Sequence, residues 1–275
     1  GFLVRDYEGI VYAADHFCDI INCSWGGYLG SPFGQDIVNY ATFNRNSLVV
    51  AAGGNSYNPI WLYPASFDNV LSVVATNQLD EKWIGSSWGT KMDLSAPGQS
   101  VYSSWPYDVY FASSGTSFSA PQVAGAAALV KARFPNFTAL QIGEQLRVSC
   151  DNIDTVTANI PYAGMLGSGR LNMYKALMDT ISPSVRLRNT DIRYTLDSIV
   201  ITSEFVNYLR PTSSAAYAVL RSNSPHLMVV DSIFTLPNLG QLSSIDNNTS
   251  PFRILKLASA PNGYQHDVAI HFYDT

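Results

Sequence analysis

The chain has 275 residues, 47% of them hydrophobic and only 13% charged, enough apolar side chain to bury a sizeable core and enough length for two domains. A formal net charge of −5 with no basic run leaves no footprint for nucleic acid or an anionic membrane surface. No apolar run reaches the roughly 18 residues that span a bilayer, and the first residues lack the charged, apolar, small order of a signal peptide.

Ile10, Val11, Ala14 and Phe17 recur at helical spacing between Tyr7 and Phe17 and predict an amphipathic helix. Asp19 to Cys23 is a short apolar run that stops at Ser24-Trp25-Gly26-Gly27. A helix feeding a buried strand that ends in glycines is half of an α/β unit, and in such folds function sits at the carboxyl ends of the strands. The pattern then repeats: Ile37 to Arg45 reads as a helix, and Ser47 to Asn55 as an apolar strand that stops at Gly53, Gly54 and Asn55. On its own Asn55 reads as a turn residue. In Trp61-Leu62-Tyr63-Pro64-Ala65 the proline requires an extended residue before it, and the bond preceding it is a candidate for cis geometry. Val70 to Thr76 is another buried strand, followed after a loop by Ser86-Ser87-Trp88-Gly89 and Leu94-Ser95-Ala96-Pro97-Gly98.

Gly115 and Gly125 bracket a run of small residues with one apolar face, and Ser117 stands at the mouth of the helix they predict. Unpaired N–H groups and the positive end of the helix dipole favour developing negative charge there, which suits a nucleophile. Gln141 to Cys150 reads as a further helix, and Gly167 to Asn172 leads into another through Leu177. After Ile181-Ser182-Pro183-Ser184 the composition shifts to short β-favouring runs: Ser198 to Phe205, Ala216 to Leu220, Leu227 to Val230, Phe252 to Leu257 and Asp267 to Tyr273. Clusters of Pro, Asn, Gly and Ser separate them, the pattern of an all-β sandwich. Cys18, Cys23 and Cys150 are odd in number and in apolar surroundings, so three buried thiols are expected rather than disulfides. Asn136-Phe137-Thr138 and Asn247-Asn248-Thr249 have the form of glycosylation acceptors, a form that short chance matches also take.

The string Gly115-Thr116-Ser117-Phe118-Ser119-Ala120-Pro121-Gln122-Val123-Ala124-Gly125 resembles the nucleophile motif of the subtilisin-like serine peptidases, with Phe118 and Gln122 where that family usually has methionine and histidine. Asp19 to Gly27 resembles the family strand whose glycine-flanked end pairs with the substrate main chain, glycine allowing the close approach. Ser47 to Asn55 resembles the family's Val-Val-Ala-Ala-Ala-Gly-Asn, whose asparagine amide donates into the oxyanion hole. Tyr63-Pro64 resembles the segment beside the specificity pocket, which puts Leu62 near the pocket base, where the family often has a small residue.

This resemblance runs from about Tyr7 to Thr180 with its motifs in family order. It implies an α/β fold: an incomplete, subtilisin-like three-layer α/β/α domain with a mostly parallel sheet over residues 1–181, followed by an immunoglobulin- or fibronectin-like β-sandwich over 182–275. It further implies a secreted serine endopeptidase, extracellular or at the cell surface, acting on a peptide or protein substrate. Ser117 would be the nucleophile, with Asn55 and the Ser117 N–H as oxyanion donors. Ser24, Trp25, Gly26, Gly27, Ala52, Gly53 and Gly54 would wall the substrate cleft, with Leu62 at its base and no acidic residue, which favours an uncharged side chain there. No cofactor is implied and no metal site is assigned.

A serine hydroxyl needs a base to take its proton and a carboxylate to orient that base. In subtilisin both precede the serine, and the family's Asp-Thr/Ser-Gly and His-Gly-Thr motifs do not occur in this sequence. Of the four histidines, His16 lies at the start of the strand whose other end holds Ser24, on the order of 15 Å from the site at about 3.3 Å per residue. His226, His266 and His271 fall in the β region. The chain by itself is therefore expected to be inactive, with an upstream N-terminal fragment carrying the missing Asp and His as its expected partner. The alternative is a non-catalytic protein whose degenerate scaffold binds peptides or a surface. An α/β-hydrolase esterase is excluded by the lack of a Gly-x-Ser-x-Gly elbow at Ser117.

Overall fold

The computed structural model describes residues 5–257 and 268–274, and the chain divides into two compact units, Gly1–Asp179 and Thr180–Thr275. The first is built on four parallel strands hydrogen-bonded in chain order: β1 (Ile20–Cys23), β2 (Leu48–Ala52), β3 (Val70–Thr76) and β4 (Leu94–Pro97). Every residue of β2 and β3 is buried, the mark of parallel strands covered on both faces.

Helices α1 (Asp6–Asp15) and α2 (Pro32–Asn39) cover one face, with Ile10, Ala14, Ile37 and Val38 packed on Ile21, Cys23, Val49 and Ala51. The two-residue period of a strand turns those four strand side chains to one side. Helices α3 (Thr116–Arg133) and α4 (Ala139–Val148) pack against the same sheet, α3 burying Ala120, Val123, Ala126, Ala127 and Val130. These small side chains let the helix lie close to the strands.

Several boundaries differ from the sequence reading for local chemical reasons. Ser31 caps α2, its side chain accepting from the Gly34 N–H, and Pro32 occupies the first turn, so the helix begins well before Ile37; beyond Asn39 it continues as a π turn over Tyr40–Asn44. A capping box between Thr138 and Gln141 starts α4 at Ala139. Between β4 and α3 runs a hairpin, β5 (Val101–Trp105) and β6 (Val109–Ser113), that the sequence reading missed: its strands are mostly exposed and show no buried alternation. Short helix α5 (Met173–Met178) closes the unit.

The expectation of three buried thiols is corrected at Cys18, which is exposed just beyond the turn that ends α1; Cys23 is buried and Cys150 half-buried. The Tyr63–Pro64 peptide bond is cis, as the sequence suggested.

The described part of the second unit is antiparallel β structure. Its strands are β7 (Val185–Tyr194), β8 (Ser198–Asn207), β9 (Tyr217–Ser222), β10 (Leu227–Asp231), β11 (Ile233–Thr235), β12 (Ser243–Asp246), β13 (Phe252–Lys256) and β14 (Val268–Tyr273). One sheet runs β10-β13-β8-β12 with β7 on the other edge of β8, and the second runs β11-β9-β14. Ile201, Phe205, Phe252 and Ile254 from the first share a core with Ala218, Leu220 and Phe234 from the second. Strand β7 went unread because its Arg, Asn and Asp residues show no apolar alternation; it is largely exposed and bulged between Arg188 and Asp191. His266 and Asp267 lie outside the described residues.

Candidate active site

Parallel strands bring their carboxyl ends to one edge of the sheet, so Ser24 at the end of β1 and Gly53, Gly54 and Asn55 at the end of β2 arrive together. The N-terminus of α3 joins them there, carrying Thr116 and Ser117. The Ser117 hydroxyl donates to the Ser24 carbonyl oxygen at 3.0 Å, and the Ser24 hydroxyl donates to the Ser117 carbonyl oxygen at 2.9 Å. The Asn55 Oδ1 accepts from the Thr116 N–H at 2.9 Å and from the Thr116 hydroxyl at 3.0 Å. Thr116 Oγ1 in turn accepts from the Gly54 N–H at 3.1 Å.

With its oxygen held twice, the Asn55 carboxamide must present its NH₂ on the opposite side. Among the described residues neither Asn55 Nδ2 nor the Ser117 N–H has an acceptor. The latter belongs to the first turn of α3, where the backbone donors have no intrahelical partner. The Asn55 carboxamide is thus tied to the residue next to Ser117.

The residues read as cleft walls separate into two groups. Gly26 is exposed, and a Cβ there would stand 2.6 Å from Leu62 Cδ2 and 2.9 Å from the Tyr63 carbonyl, so only glycine fits. Gly54 has φ +110°, and a Cβ there would lie 3.4 Å from the same Leu62 methyl. Leu62 therefore sits between the two glycine segments. Gly27 is committed elsewhere: its N–H donates to the Tyr63 carbonyl and the Tyr63 N–H donates to its own, each at 2.8 Å. The Trp25 ring meets Tyr7 edge-on, with centroids 5.6 Å apart, and packs against the core under α1. Ala52 is buried in β2, and Gly53 spends its N–H on the Val73 carbonyl, so both are framework rather than surface. Thr116 and Tyr63 were missed as site residues by the sequence reading, although both stand inside the strings it singled out.

No imidazole or carboxylate touches the Ser117 hydroxyl among its described hydrogen bonds. His16 is exposed at the end of α1, where its Nδ1 lies 2.8 Å from the Tyr12 carbonyl and its ring stacks on Tyr12. Burial pushes the thiols of Cys23 and Cys150 up to about 12, so neither competes as a nucleophile near neutral pH. Among the described residues there is no cluster of His, Cys, Asp or Glu suited to a metal ion, and no helix long and apolar enough to cross a membrane.

The profile of the subtilase family matches residues 4–160. Thermitase of Thermoactinomyces vulgaris is 38% identical over 171 residues, which cover 62% of this chain and 58% of thermitase. Subtilisin DY of Bacillus licheniformis is 38% identical over 151 residues, 53% of this chain and 54% of that protein. Among solved structures, a protease from Pseudoalteromonas arctica PAMC 21717 superposes with a TM-score of 0.58 at 26% identity, covering 64% of this chain and 59% of the other. The chain thus spans between half and three fifths of the length of these relatives.

Proposed function

Because this chain belongs to the subtilase family, we propose that it is the nucleophile-bearing portion of a secreted serine endopeptidase, extracellular or at the cell surface. Ser117 Oγ attacks the carbonyl carbon of a peptide bond while Asn55 Nδ2 and the Ser117 N–H bind the oxygen that becomes negative. The base that takes the Ser117 proton, supplied from outside this chain, returns it to the leaving nitrogen as the adduct collapses, and water then hydrolyses the acyl-serine. Gly26 offers its main chain to the substrate strand and Leu62 closes an uncharged pocket. The observation that carries the reading is the pair of unpartnered donors on Asn55 and Ser117, aimed by the grip of Thr116.

The same reading gives this chain negligible hydrolytic activity alone. The Ser117 proton is donated to the Ser24 carbonyl, a group that accepts a hydrogen bond but not a proton. An N-terminal fragment carrying the Asp and His supplies the base. Two features support a partner of that kind: among the described residues β1 is an edge strand, and α3 turns Pro121, Gly125, Ala128 and Leu129 outward. The antiparallel unit is an immunoglobulin- or fibronectin-like accessory domain, its two sheets sharing one core.

The parked hydroxyl also favours a second reading, a peptide- or surface-binding protein without catalysis. One experiment separates them. A fluorogenic peptide is offered to the chain alone, to the chain with a segment bearing Asp-x-Gly and His-Gly motifs encoded next to it, and to each with Ser117→Ala. Hydrolysis only in the combined protein, lost with Ser117→Ala, is the expected result. Peptide binding without hydrolysis in every arm would replace the peptidase by the binder.

A further inference from the structure

We infer that the Ser24 side chain is a positioning residue for the nucleophile, acting through the carbonyl that Pro121 orphans. Pro121 lies inside α3 four residues beyond Ser117. In a continuous helix the N–H of residue 121 would donate to the Ser117 carbonyl; proline has none, and its ring crowds that carbonyl. The Ser24 hydroxyl supplies the missing donor at 2.9 Å.

The contact is one link of a chain. Asn22 Nδ2, on β1, donates to Ser24 Oγ at 2.9 Å, Ser24 Oγ donates to the Ser117 carbonyl, and Ser117 Oγ returns a bond to the Ser24 carbonyl at 3.0 Å. With Asn22 satisfying its lone pair, the Ser24 hydroxyl is left to direct its proton at Ser117. The end of β1 thereby holds the first turn of α3 at two points, on the residue whose hydroxyl and N–H both face the reacting carbonyl. A proline one turn further along removes the helix's own hold on Ser117 and transfers it to the strand.

The inference rests on Ser117 being the nucleophile, but its test uses no hydrolysis, so it stands or fails apart from the peptidase assay. Urea unfolding is measured for the wild-type chain, Ser24→Ala, Pro121→Ala and the double variant, with Ser24→Thr as the conservative control. Ser24→Ala should lower the folding equilibrium constant about tenfold, the cost of an unsatisfied acceptor. In the Pro121→Ala background, where a backbone N–H is restored, the loss should shrink to about threefold or less, and Ser24→Thr should retain most of the wild-type value. Equal losses in both backgrounds would overturn the coupling. For positioning, the alkylation rate of a Ser117→Cys thiol by iodoacetamide is followed in the same four backgrounds. A change of about threefold or more on Ser24→Ala, reversed by Pro121→Ala, is expected; an unchanged rate would show that the bond stabilises the fold without placing the nucleophile.

Discussion

Thr116 grips the amide oxygen of Asn55 twice, with its N–H at 2.9 Å and its hydroxyl at 3.0 Å. The residue before the proposed nucleophile therefore aims the side chain proposed to stabilise the oxyanion.

In the combined, active protein, Asn55→Leu should lower kcat by roughly 10²–10³ with KM little changed, a magnitude established on subtilisin itself for loss of one such donor. Thr116→Val keeps the N–H bond and removes the hydroxyl, so its effect should be smaller, about tenfold. Steady-state kinetics on one peptide series checks both. A fall in KM-dependent binding with unchanged kcat would move Asn55 from the oxyanion to substrate binding.

Leu62 lies within van der Waals reach of both glycine walls. Leu62→Ala should open the pocket and raise kcat/KM for a Phe substrate relative to an Ala substrate by about 10–100-fold, the usual worth of a few methylenes of pocket space. An unchanged ratio would place Leu62 outside the pocket.

Arg147 on α4 stands between two carboxylates, with Nη1 2.7 Å from Glu144 and Nε 3.4 Å from Asp93, both acids being largely buried. Arg147→Met should cost ~3 kcal/mol in urea unfolding because two buried anions lose their shared cation. Adding Glu144→Gln should recover part of the loss.

Hydrogen bonding to Lys175, followed by bonds from Arg170 and Asn172, lowers the Asp151 carboxyl from the ordinary 3.8 to about 2. A folded-state value below the unfolded one means that the stabilisation is complete above about pH 4 and is lost as pH falls towards 2. Asp151 is 25% exposed and Lys175 55% exposed, so solvent screening reduces the effect to about 1 kcal/mol. Asp151→Asn should flatten the stability profile between pH 4 and 2 while leaving the profile above pH 5 parallel to wild type; an unaltered acid limb would assign that limb to other carboxylates.

Much of the parallel sheet was legible because Val49, Val50, Val73 and Val74 are apolar on both faces and their strands stop at glycines or turns. Ser117 and Asn55 could be singled out only through long strings, since a serine at a helix mouth and an asparagine after two glycines are common separately. What sequence could not supply was the cross-chain contact. Thr116 reaches Asn55 across 61 positions, and Ser24 reaches Ser117 across 93. The exposed strands β5, β6, β7 and β12 were missed because water imposes no alternation on side chains it solvates on both faces.

The paired main-chain bonds between Gly27 and Tyr63 fix the spacing of the rim before any ligand arrives. A peptide bound along Gly26 as proposed would surrender its own conformational entropy without also having to freeze this border, leaving for affinity the free energy otherwise spent on ordering a loop.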